Sequence, residues 1–382
     1  MSPITLVFAL ALFNFATSQA SRVLLALYAL DLGAEPFIVG AISATYSAFP
    51  MLLAWLAGRV TDRLGAARPL AFGAVAAGCG MLVPWFWPGM PSLYIASALC
   101  GFSFTFFTVA LQNMAGQFGE KGGRAKSYSN YAMVVSFATF LGPLIAGFGI
   151  DHIGFGPTCV SIALLTLVTL VLVAVNRSDL PPGAPASGAA ESMGGILADR
   201  KVRKVLITSS LIVSGTDLFQ FYLPIYGHQI GLSASAIGVV LSMFAAASVV
   251  VRLIIPRLLA RFSVEGVLAY AFFLGAAGFF ALPFFHHAVM LGAISFVFGL
   301  GMGCGAPITL MQTYSQSPPG RSGEALGLRM MANHAARVAG PLLFGSIGSA
   351  FGLFPVFWMN GLMLASGGAV SRRGQPGAPR EP

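Results

Sequence analysis

Charged side chains are scarce in this sequence. Asp, Glu, Lys and Arg make up only 9% of its 382 residues, whereas 57% are apolar. This balance excludes an ordinary soluble globular protein, in which about a quarter of the residues are charged. The apolar runs reach the roughly 20 residues that a helix needs to cross a bilayer, and they lack the strict alternation of barrel strands. The composition therefore predicts an all-α protein that crosses the membrane many times.

Cysteines and clusters of reactive side chains are also rare. The four cysteines stand singly in apolar segments without a Cys-x-x-Cys pair, so we interpret them as buried small side chains and predict no metal site. No G-x-x-x-x-G-K segment occurs, which argues against an ATP-driven pump. The sequence offers no His or acid cluster and no nucleophile–base pair, so we expect neither an enzyme nor a cofactor.

Twelve apolar segments are long enough to be membrane spans. The first has no basic leader and no clear cleavage site after it, so we expect it to be retained. The predicted spans are residues 4–30, 36–57, 69–87, 91–113, 127–150, 155–176, 204–228, 233–256, 265–285, 288–311, 324–349 and 352–370.

The basic residues are segregated between the two ends of these spans. Of the 21 Lys and Arg residues, all but four lie in alternate gaps, and the other gaps hold none. Cytoplasmic loops carry such an excess of positive charge, so we expect both termini in the cytoplasm of a protein of the cell inner membrane. The net charge of +9 forms no basic patch on a soluble domain, so nucleic acid is not an expected partner.

The chain divides into two related halves. Residues 178–195 are rich in Pro, Gly, Ala and Ser, which is typical of a flexible linker. At an offset of 198 residues, segment 32–40 matches 230–238 and segment 142–144 matches 340–342. Two parallel six-helix halves form a transporter architecture with the substrate site between them. We therefore predict an N-terminal half at 1–176, a cytoplasmic linker at 177–203, a C-terminal half at 204–370 and a cytoplasmic tail at 371–382.

The loop after the second span carries a distinctive motif. Its sequence, GRVTDRLGAAR, contains Gly58, Asp62, Arg63, Gly65 and Arg68. It resembles the signature G-x-x-x-D-R-x-G-r-r between helices 2 and 3 of the major facilitator superfamily. The resemblance implies twelve transmembrane helices in two pseudo-symmetric six-helix halves. It also implies a conformational latch, in which this acid and its neighbouring arginine hold one state against the N-terminus of helix 11.

A second motif lies in the fifth span. Gly142, Pro143 and Gly147 resemble the GPxxGG element of the antiporter branch of the superfamily, although Ala146 replaces one glycine. The resemblance favours export by antiport. Close packing of helices around small residues explains the glycines equally well.

Four arginines fall inside the predicted spans, where inserting a charge costs about 2.5–3.5 kcal/mol. They are Arg22 in span 1, Arg252 in span 8, and Arg329 and Arg337 in span 11, and the only acid well inside a span is Asp217. Such an excess of positive charge predicts a small anionic substrate, because a guanidinium pairs with carboxylate or phosphate.

Other polar residues extend the candidate site. At the repeat offset, Gln19 and Arg22 of helix 1 correspond to Asp217 and Gln220 of helix 7, and the resemblance places both helices along a central cavity. The substrate-binding candidates are Gln19, Arg22, Gln220, Arg252, Arg329, Asn333 and Arg337. The alternatives are a structural role for the helix 1 arginine and snorkelling to the cytoplasm for those near helix ends.

Proton coupling needs a titrating group inside the membrane. Asp217 is the first candidate, and His334 is the alternative because an imidazole changes charge near neutral pH. A fixed Asp–Arg pair without any coupling role is the structural alternative.

The leading hypothesis is therefore a secondary transporter, proton-coupled and specific for a small organic anion. A proton-driven exporter of neutral or amphiphilic compounds comes second, and a receptor or scaffold that does not transport comes third. The expected partners are the lipid bilayer, the solute and protons, and we expect a monomer.

Overall fold

The structure is a computed structural model that describes residues 3–117, 124–180, 199–316 and 322–372. Within these residues the only regular elements are helices. They are α1 (Pro3–Asp31), α2 (Pro36–Leu64), α3 (Ala67–Phe86), α4 (Met90–Gln117), α5 (Arg124–Ile153), α6 (Phe155–Val175), α7 (Arg200–Gln229), α8 (Ala234–Arg261), α9 (Val264–Ala281), α10a (Ala288–Met302), α10b (Gly305–Gln316), α11 (Ser322–Phe351) and α12 (Leu353–Arg372), with short 3-10 turns at Arg177–Asp179 and Leu282–Phe284.

Eleven segments of these helices are long and apolar enough to cross a membrane. The remaining long helix, α11, has 30 residues and is less apolar because it carries Glu324, Arg329 and Arg337. Eleven of the twelve predicted spans coincide with these segments, and the other one, residues 324–349, lies within α11, so the predicted all-α membrane fold with twelve long helices is confirmed. Some helices run further than the apolar segments that predicted them, as α2 does when it continues past residue 57.

The sequence predicts one continuous helix for span 10, whereas the structure interrupts it between Met302 and Gly305. Glycines are frequent from residue 299 to residue 305, and glycine weakens a helix interior by about 1 kcal/mol relative to alanine. A Cβ on Gly303 would lie 2.7 Å from the Cα of Ser248 on α8, so the chain approaches α8 more closely here than a side chain allows. Apolarity alone could not predict this break.

Backbone geometry repeats between the two halves of the sequence. Gly33 and Gly231 have positive φ angles of 82° and 78°, and Gly154 and Gly352 have φ angles of 85° and 81°. Each pair is separated by the repeat offset of 198 residues. In the turns after α1 and α7, the N–H groups of Gly33 and Gly231 both donate to the carbonyl three residues earlier. Glycine adopts this left-handed conformation without strain, which explains why the match includes it.

Close helix packing repeats in the same way. A Cβ on Gly101 of α4 would clash with the carbonyl oxygen of Tyr46 on α2. A Cβ on Gly299 of α10a would lie 2.5 Å from the carbonyl oxygen of Phe244 on α8. Both members of the second contact lie 198 residues beyond those of the first. The duplicated sequence therefore reproduces the same close approach of two helices.

Packing divides the chain into two compact units. The first comprises residues 1–189 and 223–242, and the second comprises residues 190–222 and 243–382. The end of α7 and the start of α8 therefore pack with the first unit. The predicted boundaries at 176 and 204 describe the sequence repeat and stay a prediction. Most of the linker lies outside the described residues.

Each unit has its own apolar core. In the first unit, α1 packs against α5 and α3 packs against α4 and α6, around buried side chains such as Leu10, Leu70 and Phe107. In the second unit, the rings of Phe219 and Phe298 stack with their centroids 4.0 Å apart. These cores fix the helices that carry the polar residues described next.

Candidate functional site

Arg22 lies on α1 against two aromatic rings of the first unit. Its guanidinium carbon is 4.4 Å from the centroid of the Tyr46 ring on α2 and 5.6 Å from that of the Phe104 ring on α4. The Tyr46 hydroxyl forms a hydrogen bond with the Ser18 hydroxyl at 2.7 Å, which fixes the orientation of the ring. A cation over an aromatic face gains about 0.5–2 kcal/mol, depending on its desolvation. The rings therefore offset part of the cost of this charge in a membrane helix.

No carboxylate neutralises Arg22 within the part of the chain that the structure describes. Its side chain is half-buried, and its Nε is buried without a hydrogen-bond partner among those residues. A guanidinium in this state retains its capacity to pair with an anion.

A small polar pocket lies beside this arginine. It is lined by Asn14, Thr17, Ser18 and Ser21 of α1, by Tyr46 and Ala77, and by Cys100, Ser103 and Phe104 of α4. The amide nitrogen of Asn14 and the hydroxyl of Thr17 are buried without a hydrogen-bond partner among the described residues. Amides and hydroxyls can donate hydrogen bonds, so the lining of the pocket offers donors and no acid.

The polar face of α11 contacts α7 within the second unit. Arg337 Nε lies 2.6 Å from a carboxylate oxygen of Asp217, in an ion pair whose side chains are 26% and 17% exposed. Nearer the start of both helices, the Ser209 hydroxyl donates to Asn333 Oδ1 at 3.1 Å and accepts from Arg329 Nη1 at 3.3 Å. The contacts on α7 are eight residues apart, as are the two arginines on α11. The helices are therefore parallel and in register along this face.

The remaining polar candidates lie on four different helices. Gln19 on α1, Gln220 on α7, Arg252 on α8 and His334 on α11 are all half-buried. Neither glutamine side chain forms a hydrogen bond with another described residue. The predicted roles of these four residues in substrate binding or proton coupling stay predictions.

Comparison with known proteins shows which family this helical architecture belongs to. The sequence matches the model of the Major Facilitator Superfamily over residues 7–341. This chain belongs to that superfamily. The resemblance found at residues 58–68 is thus confirmed over most of the chain, and both family and fold are those of a transporter. No curated protein matches the sequence.

Solved structures of superfamily transporters share the fold of the whole chain. A mutant of the peptide transporter POT in complex with sulfate gives a TM-score of 0.82 at 14% identity, covering 97% of this chain and 93% of that chain. A mutant of the nucleoside transporter NupG gives 0.82 at 13% identity, covering 97% and 99%. A POT family transporter in complex with 5-aminolevulinic acid gives 0.82 at 12% identity, covering 98% and 96%. At such low identity the likeness establishes the fold alone.

The superfamily motif lies where α2 turns into α3. Gly65 ends α2 with a positive φ of 76°, which is the tight turn expected of a glycine in this motif. Arg68, in the first turn of α3, is exposed. Gly58 lies within α2, but its surroundings and the side chains of Asp62 and Arg63 fall outside the described part of the structure, so the latch itself stays a prediction.

The glycine motif of α5 packs against two different helices. A Cβ on Gly142 would lie 2.5 Å from the Cβ of Gln19 on α1. A Cβ on Gly147 would clash with the carbonyl oxygen of Ala234 on α8, and the Pro143 carbonyl also faces α8. Close helix packing accounts for all three motif residues. The link between this motif and antiport stays a prediction.

Sequence reasoning missed three residues that complete these contacts. Ser209 could have been found, because it precedes Asp217 by the same eight residues that separate the arginines of α11. Tyr46 and Ser18 gave no such signal, because their contacts depend on how α1 packs against α2.

Proposed function

We propose that this protein is a proton-coupled secondary transporter that moves a small organic anion across the cell inner membrane, with both termini in the cytoplasm. The observation that carries the proposal is Arg22, a cation in a membrane helix with no counter-ion among the described residues. Two aromatic rings lie against it, and hydrogen-bond donors line the small pocket beside those rings. An anion that binds there would compensate a charge that is costly to place in the membrane.

The pair of Arg337 and Asp217 supports the proton-coupled part of the proposal. While Asp217 is ionised, it neutralises Arg337 at 2.6 Å. When Asp217 takes up a proton, Arg337 loses its counter-ion and becomes available to an anion. Proton and anion would then favour each other's binding, and such mutual dependence is the definition of thermodynamic coupling. His334, on the same helix as Arg337, is the alternative proton carrier.

Export of neutral or amphiphilic compounds is the second candidate. One observation favours it, because Arg337 is already compensated by Asp217 and Arg329 already donates to a hydroxyl. On this account the arginines of α11 hold that helix against α7 and do not contact the solute.

Uptake into proteoliposomes distinguishes the two candidates. The reconstituted protein is assayed with panels of carboxylates, phosphates and neutral or amphiphilic drugs, with and without an imposed pH gradient, against protein-free vesicles. The proposal expects at least one anion class to accumulate only when the gradient is present. Accumulation of neutral compounds alone would contradict the proposal and support export.

A further inference from the structure

The carboxylate of Asp151, at the end of α5, binds the N-terminus of α8. Its Oδ1 accepts a hydrogen bond from the Ala234 N–H at 3.0 Å, and its Oδ2 accepts one from the Ser235 N–H at 2.7 Å. The first N–H groups of a helix lack partners within the helix and form the positive end of its dipole. The contact bridges 83 residues of sequence, yet both ends lie in the first compact unit.

Asp151 adds to a cap that the helix already has. The Ser233 hydroxyl, just before α8, accepts a hydrogen bond from the Ala236 N–H at 3.2 Å, which is the usual local way to cap a helix. A long-range carboxylate is therefore not needed merely to satisfy this helix end. Its distinct effect is to tie the start of α8 to the end of α5.

The backbones of α5 and α8 come close together behind this contact. Gly147 and Gly238 each face a carbonyl oxygen of the other helix at a distance that leaves no room for a Cβ. Further along, the Ser242 hydroxyl donates to the Phe140 carbonyl at 2.8 Å. The contact thus extends about three helical turns from Asp151, which is its only charged member among the described residues.

The place of Asp151 in the fold corresponds to that of Asp62. In this superfamily each six-helix half consists of two inverted three-helix repeats, so α2 corresponds to α5 and α11 corresponds to α8. The predicted latch sets Asp62, near the end of α2, against the N-terminus of α11. Asp151, at the end of α5, is set against the N-terminus of α8. Because three spans separate the ends of α2 and α5, the two carboxylates lie on opposite faces of the membrane.

We propose that Asp151 is a second latch residue, which stabilises the conformation that is closed on its own face of the membrane. Opening on that face requires α5 and the start of α8 to separate, which breaks the hydrogen bonds of this carboxylate. Asp62 is predicted to do the same on the opposite face. The inference rests on alternation between two conformations and does not depend on which solute is carried.

Charge removal at Asp151 tests this latch, with Glu35 as the matched control. Glu35 is an exposed acid directly before α2, and its side chain makes no capping hydrogen bond. Spin labels are attached at Trp87 and Val289, two exposed positions that lie on the same face of the membrane as Asp151 but outside the contact between α5 and α8. The exposed Cys79 is first replaced by serine, which gives a Cys79→Ser background. Pulsed electron paramagnetic resonance then measures the distance between the two labels. The shorter label distance reports the closed conformation and the longer one the open conformation. Asp151→Asn should raise the ratio of open to closed molecules roughly tenfold, whereas Glu35→Gln should change this ratio little.

A second variant tests the same contact independently, in case Asp151→Asn folds poorly. Ala234→Pro removes one of the two N–H donors at the first helical position, where proline is well tolerated. Ala234→Pro should raise the ratio of open to closed molecules as Asp151→Asn does, but by a smaller factor. The latch is refuted if hydrogen exchange in the first turn of α8 rises in Asp151→Asn while the distances stay unchanged, because the contact would then be only a local cap. An equal shift in Glu35→Gln would also refute it.

Discussion

Arg337 on α11 and Asp217 on α7 form an ion pair 2.6 Å long between two parallel helices. Of the four arginines inside the predicted spans, Arg337 therefore has its own counter-ion and needs no anionic solute to neutralise it. Arg329 donates to a hydroxyl of α7, whereas Arg22 has aromatic rings around it and no acid among the described residues. The case for an anionic solute therefore depends most on Arg22.

Breaking the pair from one side should cost more than removing it altogether. Arg337→Gln and Asp217→Asn each leave one uncompensated charge, which should destabilise the fold by about 1–2 kcal/mol after partial solvent screening. The double variant should recover most of that loss. Thermal unfolding in detergent of the wild type and the three variants measures it, and strictly additive losses would show that the two charges do not interact.

Asp217→Asn should also uncouple transport from the pH gradient. The amide cannot release or take up the proton, so gradient-driven accumulation should be lost while exchange of solute across the membrane continues. Proteoliposomes loaded with unlabelled solute report the exchange, and an imposed pH gradient reports the accumulation. If Asp217→Asn still accumulates solute normally, His334→Gln becomes the variant to test.

The repeated close contacts predict equal sensitivity in the two halves. Gly101→Ala and Gly299→Ala both place a methyl group against a carbonyl oxygen of a neighbouring helix, and overpacking of this kind costs about 1–3 kcal/mol. Gly292→Ala is the control, because its Cβ would meet the Cγ of Met243 at an ordinary 3.7 Å. Thermal unfolding should rank the control close to the wild type. A destabilised control would show that the effect is one of glycine replacement in general.

The predicted topology can be checked by single-cysteine labelling in a Cys79→Ser background. A cysteine at Ser187, in the linker, should react with a membrane-impermeant maleimide only from the cytoplasmic side. One at His287, in the exposed turn before α10a, should react only from the opposite side. Labelling of both from the same side would overturn the assignment made from the positive charges.

The fold was predictable because membrane spans follow from local composition. Apolar length located the twelve long helices, eleven of which are apolar enough to cross a membrane. Glycines with positive φ, such as Gly33 and Gly231, occupy the same turn in both halves and made the repeat visible. The break after Met302 was not predictable, because it depends on how closely that chain approaches α8.

The candidate site was predictable only where spacing along one helix carried the information. Arg329, Asn333 and Arg337 follow one another at intervals of four residues, which puts them on one face of a helix, and α7 does contact that face of α11. The partners of Arg22 depend on packing between helices, which a single sequence does not encode in any periodic pattern. The same holds for Asp151, whose partners lie 83 residues away or more.

The most direct test of the account is the contribution of Arg22 to anion binding. Half-saturating concentrations for the anion found in the uptake screen are compared among Arg22→Gln, Arg22→Lys and Arg200→Gln, the last of which removes an equal charge from an exposed position at the start of α7. Arg22→Gln should bind the anion roughly ten- to hundredfold more weakly, Arg22→Lys should recover part of that loss, and Arg200→Gln should change little. An unchanged half-saturating concentration in a folded Arg22→Gln protein would contradict the claim that Arg22 binds the anion.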